Sequence, residues 1–289
     1  MKYKIVILLV LLTLLNAGTS SGCSGGVNKE LANLARMVPR ESTSFLFWNV
    51  EALGADRDMY KTVWRAWESE ESNWLGDLVG IGAGEVKIFA RAFVPDWGVV
   101  TIVSADFNSE DVEKELKDNG YAGDSYLGVP IFRKVEAGGG VAVAIYKKNL
   151  VIGSKRLVEK CVDVVTGREG SRSLYEDTSM EGLVDRLPGG LMSGVERNGV
   201  LYDDLEGVGM SVAREGERTL VVEAVYKFKV SGAASDQDTL IRIKNDLAEI
   251  ELTVMRGTCF DPEVKAHDEF VEGSASMHIL DFSYFDLTP

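Results

Sequence analysis

The chain has 289 residues, 45% hydrophobic and 26% charged, with 31 Lys and Arg set against 45 Asp and Glu for a net charge of −14. That apolar content supports a packed core and excludes a largely disordered chain. The acidic balance argues against nucleic-acid binding, and two histidines with three cysteines leave little material for zinc, haem or iron–sulfur ligation, so no metal site and no cofactor are expected.

Residues 1–22 read as an export signal. Lys2 and Lys4 form a short positive region, and Ile5 to Leu15 is an eleven-residue run that is apolar except at Thr13. A membrane-crossing helix needs roughly twenty apolar residues, whereas a signal core needs roughly 7–15. Small residues from Ala17 to Gly22 then lead to Cys23. This arrangement resembles a bacterial lipoprotein signal. The resemblance implies lipidation of Cys23, which becomes the mature N-terminus on a tether over residues 23–26. Simple cleavage and an uncleaved anchor are the alternatives, and each exports the remaining chain. The acidic balance repels anionic lipid, so the membrane is reached through lipid on Cys23 rather than through a basic patch.

The pattern over residues 27–289 predicts an α+β fold, antiparallel sheets with packed helices. Asn28 caps a helix carrying Leu31, Leu34, Ala35 and Val38 that stops before Pro39, and a strand follows from Ser44 to Val50. Strands over Val86–Val94 and Gly98–Phe107 are split by Pro95-Asp96-Trp97. Asn108-Ser109 then opens a helix with Val112 and Leu116 on one face and Gly120 as its stop. Residues 139–153 form a hairpin turning at Lys147 to Asn149, and Ser154 caps the helix KRLVEKCVDVV. Thr178 and Glu181 make a capping box for a short helix ending at Leu187-Pro188.

From there the order recurs. Leu187-Pro188 echoes Val38-Pro39 and precedes a strand near Leu191 to Val195, then strands over Val208–Ala213 and Thr219–Phe228. Ser235 caps a helix with Leu240, Ile243, Leu247 and Ile250 at periodic positions. One reading is an internal duplication into similar lobes over 38–153 and 187–285, joined by helices within 154–186. The other is chance, since two strands and a helix recur easily.

The sequence order Gly120-Tyr121, Tyr126 to Phe132, Leu150 to Ser154, Gly167, Ser173-Leu174 and Leu187-Pro188 resembles an uncharacterised family of exported bacterial lipoproteins with a repeated α+β module. The resemblance covers roughly residues 38–230. It implies export and an α+β repeat, and it brings no activity.

Among candidate sites, Tyr60, Trp64, Trp67 and Trp74 fall near one face of a helix. Such a stripe either binds a partner protein, glycan or lipid, or packs on a sheet. Cys161 and Cys259 are either a disulfide, which an exported compartment permits, or two core residues. Asp203-Asp204, Asp236 with Asp238, and Asp268-Glu269 read as solvated surface rather than catalytic pairs. His267 and His278 read as ordinary strand or loop residues, and the glycines from Gly80 to Gly84 precede a strand instead of following one, unlike a phosphate cradle. The expectation is a non-enzymatic interaction or scaffolding module of the cell envelope with an envelope protein as partner. A binding protein for a small apolar or glycan ligand held between the lobes comes next, and a hydrolase is a distant third.

Overall fold

Side-chain alternation decides how the strands are covered. The computed structural model describes residues 28–59, 74–134, 140–197, 204–251 and 255–284. In it, β1 (Ser44–Asn49) sends Phe45 and Phe47 to one face and Trp48 to the other. β2 (Val86–Val94) and β3 (Gly98–Ala105) extend the sheet beside β1 as a hairpin. The chain then crosses to the far edge. There β4 (Ala122–Tyr126), β5 (Val129–Lys134), β6 (Val141–Tyr146) and β7 (Asn149–Ser154) meander back until β7 pairs with β3.

The second part of the chain builds outward from the other side of β1. β8 (Met192–Arg197) pairs with β1, and β9 (Leu205–Arg214) and β10 (Thr219–Phe228) follow. The chain crosses again, and β11 (Glu249–Glu251), β12 (Met255–His267) and β13 (Phe270–His278) return until β13 pairs with β10. β14 (Ser283–Tyr284) lies beside the start of β12. Among the described residues these fourteen strands make one sheet in the order β11-β12-β13-β10-β9-β8-β1-β2-β3-β7-β6-β5-β4, with β14 off the path. The sheet runs unbroken through the β1–β8 pair.

Helices cover both faces. On the first lie α1 (Lys29–Ala35), α4 (Lys155–Val165) and α5 (Thr178–Arg186), which bury Leu31, Leu157 and Leu183 against Phe45, Ile131 and Ala144. On the second lie α3 (Ser109–Asp118) and α6 (Gln237–Ala248), which bury Leu116 and Leu247 with Phe89, Phe132 and Met277. α2 (Val50–Ala55) follows β1 directly and buries Val50 and Leu53 there too. On the first face β13 starts with Phe270, buried beside α5, and beyond it half-buried Glu272, Ser274, Ser276 and His278 alternate with Val271, Ala275 and Met277, which are buried on the second face.

The expected α+β class with antiparallel pairing and packed helices is what the chain adopts, and several elements match their expected bounds, including β2, β10 and α4. Two caps differ by one residue. Asp177, not Thr178, caps α5, because its carboxylate accepts the Ser179 N–H at 3.1 Å and leaves Thr178 inside the first turn. Asp236, not Ser235, caps α6, accepting the Thr239 N–H at 2.9 Å.

Candidate functional site

Few of the residues singled out in the sequence come together. Cys23 and the export signal, and Tyr60, Trp64 and Trp67, lie outside the described residues. Trp74 lies in a helical stretch described over 74–79, in which Leu75, Leu78 and Val79 face the core while Trp74 itself is 36% exposed. No helix among the described residues is long and apolar enough to cross a membrane.

The disulfide expectation is corrected. Cys161 and Cys259 are both free and buried, Cys161 in the core of the first face and Cys259 in that of the second, with the sheet between them. Burial pushes the Cys161 thiol up to about 12 and the Cys259 thiol up to about 11, so neither is a reactive thiolate near neutral pH. His267 and His278 end β12 and β13 respectively, at opposite ends of that strand pair. Of the acidic pairs, Asp236 is occupied as a cap, and Asp268 takes a left-handed turn conformation between β12 and β13.

The arrangement that stands out sits at both ends of the β1–β8 pair. At one end Asp177 is enclosed. Its carboxylate takes the hydroxyl and N–H of Ser179 and faces Arg197 Nη2 at 3.3 Å and Arg40 Nη2 at 3.7 Å. Arg197 Nη2 also donates to the Arg40 carbonyl at 2.8 Å. Burial alone would raise the Asp177 carboxyl, but the Ser179 hydrogen bonds and the two guanidinium charges outweigh it and hold the group below its ordinary value.

At the other end is a cleft of about 290 Å³. Asn28 and Asn49 line it, each with its side-chain oxygen accepting a helix N–H at 3.0 Å, from Leu31 and Ala52. Gly189 and Gly190 form one wall and Leu191 and Ala213 lie beside them. The two glycines differ in role. A Cβ on Gly190 would stand 2.5 Å from the Val212 carbonyl oxygen, so only glycine fits there, whereas no described atom lies within 4 Å of a Cβ on Gly189. Glu30 lines the cleft as well, and so does Arg214, held by Asp58 at 3.0 Å and Asp56 at 3.5 Å. Glu30 and Arg214 are the charged residues that line the cleft, one of each sign, and Arg214 Nη1 is buried without a hydrogen-bond partner among the described residues. No single residue type marks the cleft in the sequence, because its walls come from segments far apart in the chain.

No family model matches the chain. It is similar to an uncharacterized protein of Methanocaldococcus jannaschii, MJ0635, at 26% identity over 258 residues that cover 86% of this chain and 88% of the relative. Among solved structures it is similar to a treponemal protein, TP0453. Crystal form III matches with a TM-score of 0.52 at 11% identity, covering 86% of this chain and 94% of that one. Crystal form IV matches with a TM-score of 0.51 at 8% identity, covering 85% and 92%. At these identities the likeness is one of fold.

Proposed function

We propose that this chain is an exported, lipid-anchored protein of the cell envelope that works as a non-enzymatic interaction module, carrying an internal duplication of its α+β unit. The observation that carries the export reading is the apolar run Ile5 to Leu15 followed by small residues and Cys23. For the duplication the support is positional. Asn28 and Asp177, Leu31 and Met180, Leu34 and Leu183, Val38 and Leu187, and Pro39 and Pro188 are all separated by the same interval, with the first pair capping helices and the next three pairs buried. The hydrogen bonds also pair up, at an interval one residue shorter that relates Thr43 to Leu191 and Asn49 to Arg197. Asn49 N–H donates to the Leu191 carbonyl at 2.9 Å and Arg197 N–H to the Thr43 carbonyl at 2.7 Å. Thr43 N–H donates to Phe93 and Leu191 N–H to Val212, at 2.9 and 2.8 Å.

A second reading, capture of a small ligand between the two halves, is favoured by one feature, the cleft whose walls come from both. Labelling cells with radioactive palmitate tests the anchor. The expected result is incorporation that disappears in Cys23→Ala, with the variant released from the membrane fraction. Equal labelling of the variant would remove the lipid anchor from the proposal.

A further inference from the structure

Donors and acceptors are unequally used around the cleft. Asn28 and Asn49 each commit the side-chain oxygen to a helix N–H, so the planar carboxamide turns its Nδ2 away from that helix. Neither Nδ2 has a hydrogen-bond partner among the described residues. Asn28 is only 7% exposed and lines the cleft, so its two unused N–H groups meet the space inside. An enclosed donor of this kind costs free energy unless an acceptor reaches it. Arg214 Nη1, buried without a partner in the same lining, adds partial positive charge of the same sense. The rest of the wall is apolar, from Phe47, Ala52, Leu191 and Ala213.

We infer that the cleft binds the carbonyl oxygen of an uncharged small molecule with an apolar body, an amide or an ester, with Asn28 Nδ2 as the chief donor. The inference rests on the second reading above, capture of a small ligand between the halves, and names its chemical class. A donor-only cation finds unused N–H groups here instead of acceptors. An anion gains nothing from charge, because Asp56 and Asp58 already balance Arg214 and Glu30 adds a further carboxylate. A neutral acceptor meets neither penalty. At about 290 Å³ the cleft is at the small end of ligand sites, and the space in front of Gly189 is open among the described residues.

The test titrates the full chain with three compounds of one shape: benzamide, a carbonyl acceptor; benzoate, an anion; and benzamidinium, a donor only. Binding is followed at the side-chain amide NMR signals of Asn28 and Asn49. Benzamide should saturate with a Kd on the order of 1–10 mM and move both signals, with each charged compound at least ten-fold weaker. Asn28→Asp keeps the capping oxygen and exchanges the donor for an acceptor. It should weaken benzamide at least ten-fold while leaving the melting temperature unchanged. Asn49→Asp makes the same comparison at the second donor, and Ala52→Phe, which fills the cleft, should abolish binding. Benzoate or benzamidinium binding as tightly as benzamide would overturn the inference and leave ligand capture standing. Undiminished benzamide binding in both aspartate variants would do the same. No saturation by any of the three at about 50 mM, or binding unchanged in Ala52→Phe, would remove ligand capture in this cleft and the inference with it.

Discussion

Asp177 shows how one side chain serves helix, sheet and charge balance together. It caps α5, and through Arg197 and Arg40 it fastens that helix to the ends of β8 and of the segment leading into β1. Its side chain is only 8% exposed, so removing the charge leaves two guanidinium groups facing a neutral amide. Asp177→Asn should therefore cost roughly 1–3 kcal/mol at neutral pH, read from the urea midpoint. The pH dependence has a definite sign. The folded-state value is depressed, so the contribution is complete above the unfolded carboxyl value of about 3.9 and is lost as pH falls through the lower folded value. The stability gap between wild type and Asp177→Asn should shrink as the pH drops below about 4. A gap that stays constant down to the acid transition would mean that the charge contributes nothing.

At the scale of elements, what was legible in the sequence were those whose signals are local. α4 has a serine cap and an apolar face at helical spacing, and β2 and β10 are aromatic and β-branched runs between turns. β12 and β13 were not legible, because β12 is interrupted by Asp261-Pro262, where its register shifts, and β13 fills its buried face with glycine and alanine among larger residues. β4 is exposed along almost its whole length and carries no hydrophobic pattern, so only its pairing with β5 makes it a strand. The cleft was hidden for a different reason, since asparagine caps and paired glycines look like punctuation until the sheet brings residues near 28, 49 and 189 together. The β4–β5 turn offers a test of local chemistry. Leu127 and Gly128 both have positive φ, 50° and 80°, the geometry of a two-residue hairpin that favours Asn-Gly. Leu127 is also exposed, so Leu127→Asn should relieve strain without opening the core and raise stability by roughly 0.5–1 kcal/mol in thermal melts. A lower melting temperature would show that the leucine is held there by packing.

For the whole molecule the decisive feature is the β1–β8 pair. Two lobes built around separate sheets would unfold as two units with a polar interface between them. Here Phe45, Phe47 and Val195 belong to one apolar layer with α1 and α5, and Trp48 shares the second layer with Met192 and Met210. Parting the halves exposes both layers at once and strips the hydrogen bonds between β1 and β8, so neither half can open without loss to the other. The strands on the two sides of the β1–β8 pair should therefore unfold as one cooperative unit. Urea unfolding followed by hydrogen exchange at amides of β2 and of β13, which lie on opposite sides of the central pair, should give coincident midpoints and a single slope. The same coincidence should survive Gly194→Ala, with both midpoints displaced. A Cβ at Gly194 presses on the Leu46 side chain at 2.7 Å, within the pair that joins the halves, so this substitution should lower both midpoints together rather than one alone. Separation of the two midpoints in the wild-type chain would show that the sheet, although continuous, is not what makes the molecule cooperative.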